Sequence, residues 1–334
     1  MVLHVMLAAV TERATSDRAM QTLNTADRIE HLSGYQARDF EVVDYRMYEL
    51  QGTKLWFRGP PPDQLASNAY FSCIGAAQTF GCFCEAPYPD LLAKKLGMPV
   101  LSLGYGGAGP EFFLRQEALL CHLNRSRFVI LQIMSARSQS NSYYNCGGLE
   151  YVTLNATGEK TGAASAFNRL LQGPAPGFGG RVGRKLSNLA ARPRTRSLVA
   201  EIRAAWTDSM QQLLDRIEVP VVLFWFSRRA ADYQEDYRNS ARLFGEFPHL
   251  VTSNMIAGLK GGTHRYVESI SSRGSPQPLI SRFTGQPVTV ETARDRPDLA
   301  RNPWKENSYY PSPEMHEDGA AALFNACLPL AEAG

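Results

Sequence analysis

No apolar run in this sequence reaches the roughly 18 residues that a transmembrane helix requires, so a span of that kind is not expected. Cysteine is scarce: six in 334 residues do not make a disulfide scaffold. Cys82 and Cys84 flank a single residue, which is not the CxxC spacing of a zinc or redox pair. No metal ligand set is therefore assigned, and a reducing compartment, the cytoplasm, is expected. Neither sign of charge dominates, and a net charge of +3 says little about nucleic acid or membranes. The apolar first residues, MVLHVMLAAV, lack a basic start and a cleavage site, and read as a ragged beginning, not a signal peptide. No internal repeat is visible. At 44% hydrophobic and 20% charged residues, the chain is a globular one with room for one large domain or two ordinary ones.

What is present is an alternation of short apolar runs and helical patterns. Residues 1–34 are polar, with one surface helix expected over 11–32. An aromatic-rich extended segment follows to Pro62, so residues 1–68 read as an N-terminal extension packing on a core or a neighbouring subunit. The regular part, 69–334, opens with AYFSCIG, a buried strand ending in glycine. MPVLSLG, RFVILQIM and VPVVLFWFS are further strands, and HLVTS reads as a short fifth. Uninterrupted apolar runs suit a parallel sheet covered on both faces. YPDLLAKKLG, EFFLRQEALLCHL, Arg196 to Ile217 and Glu314 to Leu330 read as helices. The fold class expected is α/β: a doubly wound, mostly parallel sheet with a basic insertion, about 136–195, after strand three.

In such sheets ligands bind beyond the carboxyl ends of the strands. The loops at that edge carry Gly75-Ala76-Ala77-Gln78, Gly104-Tyr105-Gly106-Gly107, Ser135-Ala136-Arg137, and Ser227-Arg228-Arg229, with Pro311-Ser312-Pro313-Glu314-Met315-His316 before the last helix. This order of blocks resembles the SGNH/GDSL hydrolase superfamily. There a Gly-Asp-Ser loop after the first strand bears the nucleophile, a glycine and an asparagine after the next two strands complete an oxyanion hole, and an Asp-x-x-His pair supplies the base. The phrases GAAQTFGCFCEAPYPDLLAKKLG, LGYGGAGPEFFL and YYPSPEMHEDGAAAL resemble an uncharacterised bacterial SGNH-like family associated with surface-polysaccharide modification. GAAQ also looks like the Gly-Asn-Cys-Gln loop of a capsule-biosynthesis acetyltransferase family. The resemblance implies an SGNH/flavodoxin-like fold and a site at Gln78 and His316.

The departures are chemical. Ala77 stands where those families have serine or cysteine, and an alanine cannot be a nucleophile. Pro313 stands where the orienting aspartate belongs. What the resemblance leaves is a cradle of donors, from Gly75, Ala77, Gly106, Gly107, Ser135 and the amide of Gln78, that would hold an oxyanion, phosphate or sulfuryl group. His316 would act as a general base on a sugar or alcohol hydroxyl without a covalent intermediate.

Between Glu159 and Glu201 there is no acidic residue, while Arg184, Arg194 and Arg196 fall in the stretch together with five other cations. A cationic Gly/Pro-bearing segment at this edge suits a lid over an anionic donor, with Arg137 and Arg228 adding to the field. A solvated basic loop is the plain alternative. Nucleic acid is not expected as a partner, since no aromatics interleave the basic stretch.

Three functions fit the residues. The first is a group transferase, sulfo or acyl, with a nucleotide-sulfate or acyl-CoA donor, a carbohydrate hydroxyl acceptor and no tightly bound cofactor. It lacks both the Gly-x-x-x-x-Gly-Lys-Ser/Thr loop and the Lys-Ser-Gly-Thr loop of classical sulfotransferases. The second is an esterase or deacetylase with a displaced nucleophile, Ser135 foremost. The third is a non-catalytic binder of anionic saccharides. A homo-oligomer is compatible with all three.

Overall fold

The strand runs Phe71–Gly75, Val129–Gln132 and Val221–Ser227 are buried at every residue. Consecutive side chains of a strand point to opposite faces, so such runs need a layer of helices on each side. In the computed structural model this is what they have. The described residues are 34–172, 180–259, 261, 263–291 and 303–333, with backbone alone for 180–191. The helix expected over 11–32 and the reading of the first residues fall outside them.

The chain divides into two compact units, 1–44 with 279–305, and 45–278 with 306–334. In chain order the elements are α1 (Gly34–Asp39), the hairpin β1 (Tyr48–Leu50) and β2 (Leu55–Phe57), β3 (Phe71–Gly75), α2 (Ala77–Phe80), α3 (Tyr88–Leu96) and β4 (Val100–Gly104). Then come α4 (Pro110–Leu114), α5 (Glu117–Arg125), β5 (Val129–Gln132), β6 (Tyr144–Asn145), β7 (Tyr151–Leu154), β8 (Lys160–Gly162), α6 (Ala163–Gln172), α7 (Gly180–Arg216) and β9 (Val221–Ser227). The chain closes with α8 (Ser240–Phe244), α9 (Ser253–Leu259), β10 (Arg265–Ile270), β11 (Gln277–Pro278), β12 (Val290–Glu291), β13 (Pro303–Trp304), β14 (Glu306–Asn307) and α10 (Pro313–Glu332).

In the larger unit the sheet order is β10-β9-β5-β3-β4, and every pairing is parallel. It is a doubly wound, flavodoxin-like α/β sheet. Val221, Leu223 and Trp225 of β9 enter one core with Leu101, Leu131, Trp206 and Leu213. Val222, Phe224 and Phe226 enter the other with Tyr88, Leu92, Met315 and Leu323. The chain leaves β3 for β4 on one side and reaches β5 on the other, which puts the topological switch at the carboxyl ends of β3 and β5.

The smaller unit holds α1, β12 and β13, with β12 antiparallel to β13. Its contacts join segments far apart in sequence. The Arg282 guanidinium lies 4.4 Å from the Phe40 ring centre and 4.2 Å from that of Phe283, and donates to the Phe40 carbonyl at 2.8 Å.

Three expectations need correction. HLVTS is not a strand: Leu250 has φ +65°, a left-handed conformation that no ladder accepts, and Ser253 already starts α9. The fifth strand is β10. The helix read from EFFLRQEALLCHL is two, because Gln116 at φ −112° and ψ 80° breaks the i to i−4 ladder between α4 and α5. The helix expected from Arg196 begins earlier, α7 starting at Gly180, and β6, β7 and β8 form an antiparallel sheet within the stretch 136–195.

Gly104 shows how closely the sheet edge is packed. A Cβ there would lie 2.2 Å from the Phe80 amide nitrogen, and backbone cannot rotate away as a side chain would. Gly104→Ala is expected to cost about 2–3 kcal/mol in urea denaturation, at the upper end of ordinary overpacking. A loss within a few tenths of a kcal/mol would show that α2 shifts freely.

Candidate functional site

Beyond β3 the chain turns at once into α2, a single turn ended by Gly81 at φ 78°. The switch point itself is filled. Gln132, the last residue of β5, accepts from the Ala76 amide at 3.0 Å and from the Thr79 hydroxyl at 2.8 Å through one carboxamide oxygen. A Cβ on Gly75 would stand 2.3 Å from that oxygen, so glycine is required for Gln132 to fit.

Next to this plug is a cleft of about 120 Å³, and its walls include Gln78, Ser227, Arg228, His249, Tyr309 and Met315. Gln78 is buried, and its Oε1 has no protein partner. Carboxamide oxygen and nitrogen are interchangeable by rotation, so the site offers either a buried N–H or a buried acceptor to whatever enters. The Ser227 hydroxyl is committed, donating to the Phe247 carbonyl at 2.6 Å and accepting from the Arg229 amide at 3.0 Å. Arg228 donates to the Ser308 carbonyl at 2.6 Å and stands 3.5 Å from the Glu246 carboxylate.

His249 and Tyr309 form the chemically distinctive part. The His249 Nδ1 is 2.9 Å from the Gly245 carbonyl, which can only accept, so Nδ1 carries the proton. Its Nε2 is then the acceptor, 3.1 Å from the Tyr309 hydroxyl. Burial, with the Arg137 charge adding to it, holds His249 well below the usual histidine range, so the ring is neutral. Burial pushes the Tyr309 phenol up, and the Arg137 charge opposes this. Arg137 stands at the other side of the hydrogen bond, its Nη2 3.4 Å from the Tyr309 oxygen and 3.0 Å from the Glu150 carboxylate. Burial works against the Arg137 charge, but the Tyr309 and Glu150 oxygens outweigh it and hold the guanidinium charged.

The backbone fixes this arrangement. The Ala136 amide donates to the His249 carbonyl at 3.0 Å, joining the turn after β5 to the segment 245–251. Arg229 clamps the same segment, donating to the Glu246, Pro248 and Val251 carbonyls and lying 5.0 Å from the Trp225 ring centre. Its guanidinium is thus spent on structure, while that of Arg228 lies at the cleft wall with the Ser308 and Glu246 contacts already given.

The expected site residues separate. Gln78 and Arg228 line the cleft, and Arg137 reaches it through Tyr309. Ala77 is buried at the start of α2. Ser135 is buried with an unpartnered hydroxyl, and is not among the cleft walls. Gly106 and Gly107 are also outside the walls, and a Cβ on Gly107 would meet that of Glu150 at 3.0 Å. His316 is completely buried between Tyr88 and Phe226, with ring centres 6.1 and 5.2 Å away. Its Nδ1 accepts the Tyr88 amide at 3.1 Å, and its Nε2 has no partner. Burial, with the Arg58 charge adding, pushes its pKa down to about 3. Its neighbour Met315 lines the cleft in its place. Arg194 and Arg196 are exposed on α7, with the Arg196 guanidinium 5.4 Å from the Tyr237 ring centre. The Arg184 side chain lies outside the described residues.

His249 and Tyr309 were not found from the sequence. His249 falls in the stretch read as a strand, and its only signal is a histidine between Pro248 and Leu250. Tyr309 opens the phrase that pointed to His316, and its neighbour drew the attention. Among the described residues no group of three His, Cys, Asp or Glu is placed to hold a metal ion, and no helix is long and apolar enough to cross a membrane.

The family model described as a domain of unknown function (DUF6473) matches residues 34–147 and 184–302. The chain belongs to this family. Within the DUF6473 match lie Gln78, Arg137, Arg228 and His249, while Tyr309 and His316 are beyond it. No curated protein matches. Solved structures similar to the chain include a carbohydrate esterase family 2 enzyme with a carbohydrate-binding domain from Corynascus thermopiles (Myceliophthora fergusii), at 12% identity and a TM-score of 0.36, covering 81% of this chain and 68% of that one. An acetylxylan esterase from Geobacillus stearothermophilus matches at 10% identity and 0.34, covering 80% and 96%. Phospholipase A1 from Streptomyces albidoflavus matches at 12% and 0.39, covering 80% and 99%.

Proposed function

We propose that the cleft transfers a small acyl or sulfo group to a hydroxyl, with a carbohydrate as acceptor and an acyl-CoA or nucleotide-sulfate as donor, in the setting of surface-polysaccharide modification. The observation that carries this reading is one cleft holding both a buried, unpartnered carboxamide at Gln78 and a neutral imidazole at His249 with its accepting nitrogen turned to Tyr309. The first supplies an N–H to a growing oxyanion, and the second is a base whose tautomer is already set. Arg228 supplies the cation for an anionic donor.

The transfer proceeds without a serine nucleophile. Ala77 has no hydroxyl, and that of Ser227 is engaged twice. The cleft is small, about 120 Å³. That suits the transferred group and the attacking hydroxyl, with the bulk of a nucleotide or CoA outside.

The reading is tested with acetyl-CoA and a nucleotide-sulfate as donors. Donor-dependent thermal stabilisation should be accompanied by turnover. His249→Gln should lower kcat by roughly 10²–10⁴-fold, the usual contribution of a general base, with little change in donor affinity. Stabilisation with no turnover from either donor would make the protein a binder. Fluorophosphonate labelling lost on Ser135→Ala, together with loss of ester hydrolysis, would make it a serine esterase.

A further inference from the structure

The accepting nitrogen of His249 is not open to a substrate. The Tyr309 hydroxyl already occupies it at 3.1 Å, and Tyr309 is itself part of the cleft wall. A hydroxyl entering the cleft thus finds the accepting nitrogen of His249 already taken by the phenol. The phenol oxygen has one proton, given to His249, and two lone pairs. Arg137 donates towards one of them from 3.4 Å, a long contact. Capacity for one more donor remains on the oxygen of a residue that lines the cleft.

From this geometry we propose that Tyr309 is the catalytic residue that takes the acceptor's proton, while its own proton passes to His249. This deepens the transfer reading above and rests on it. For an acyl ester donor, the acceptor O–H bond breaks and its proton joins the Tyr309 oxygen as the Tyr309 proton moves to His249 Nε2. The electron pair left on the acceptor oxygen forms the new bond to the carbonyl carbon. The bond from that carbon to the leaving oxygen then breaks with its pair. The leaving oxygen recovers a proton by the same route in reverse, so both side chains end as they began.

Arg137 eases the loss of the phenol proton, while the same charge opposes a proton on His249, so that proton is held there only in transit and returns. A phenol surrounded by apolar groups resists losing its proton, whereas a cation beside the oxygen stabilises the negative charge that develops in transit. Glu150 balances that cation at 3.0 Å, so the guanidinium stays in place when the cleft is empty. The Gly245 carbonyl fixes the other end by holding the His249 Nδ1 proton at 2.9 Å, which leaves Nε2 as the only nitrogen able to receive one.

The test uses the full chain with 4-nitrophenyl acetate as donor and methyl glucoside as acceptor. Tyr309→Phe should lower kcat about 100-fold with KM changed by less than about threefold. His249→Gln should do the same, and the double variant should lose no more than either single one, as expected of groups acting as a unit. Phenol added to Tyr309→Ala should restore rate and toluene should not, which separates the hydroxyl from the space the ring fills. A Tyr309→Phe variant with wild-type kcat beside an impaired His249→Gln would overturn the relay and leave the transfer reading standing, with His249 acting directly. An acetyl group found on Tyr309 by mass spectrometry would also overturn it, in favour of a covalent step. Wild-type release no faster than in buffer would remove both.

Discussion

Arg58→Met is expected to lower the free energy of unfolding by about 3–5 kcal/mol, because three carbonyls lose a charged donor at once. Arg58 is 5% exposed and comes from the strand end after β2. Its guanidinium donates to the Phe80 carbonyl at 3.3 Å, the Gly81 carbonyl at 3.0 Å and the Glu85 carbonyl at 2.6 Å, and lies 5.0 Å from the Tyr45 ring centre. Methionine keeps most of the stem but leaves these acceptors without a donor. Arg58→Lys should recover less than half the loss, because one ammonium cannot span the positions that a planar fork reaches. Urea denaturation of the three proteins measures this. A loss below 1 kcal/mol for the methionine variant would mean that water replaces the guanidinium.

Acid should destabilise the protein steeply, and two histidines account for a defined part of the slope. An unfolded histidine binds its proton near pH 6.5. Folded His316 does so only at about 3, and folded His249 is also held far below its usual value. Between those limits the unfolded chain binds more protons than the folded one, so stability is present above about pH 6.5 and falls as the pH drops. Each such group contributes roughly 1 kcal/mol per pH unit within that window. His316→Asn keeps an oxygen able to accept from the Tyr88 amide and has nothing to protonate. Its stability should therefore depend on pH less steeply than the wild type, by about one proton, in urea midpoints taken between about pH 4 and 6. Equal slopes for the two proteins would show that His316 is not neutral when folded.

How far the sequence disclosed this molecule depends on whether the signal was local. The strands β3, β4, β5 and β9 are legible because both their faces are buried, which leaves continuous apolar runs. β10 is not, since it lies at the sheet edge and its residues alternate irregularly between exposed and buried. The loop at Gln78 was legible because a glycine-ended strand passing into a polar turn marks a strand end. Its place beside Arg228 in the cleft wall also followed from topology, which gathers strand ends on one edge. His316 was placed at the site by its position before the last helix, yet the same position allows a fully buried ring that accepts a backbone amide. No one-dimensional pattern separates the two. His249 and Tyr309 are sixty residues apart and are brought together by an irregular segment whose path depends on the Arg229 clamp and on Leu250 in a left-handed conformation. Such long-range pairing through irregular backbone leaves no periodicity to read.

Gln132 closes the crevice that this sheet order would otherwise open between β3 and β5. The hollow is shifted sideways, towards β9, where its walls come from the turn after that strand, from 245–249 and from the approach to the last helix. Among the described residues those stretches lie outside the five-stranded sheet. The cleft walls can therefore diverge among its relatives while the five strands stay the same. Sequence differences within this family should gather at 228–249 and 308–312 far more than in the strands beneath.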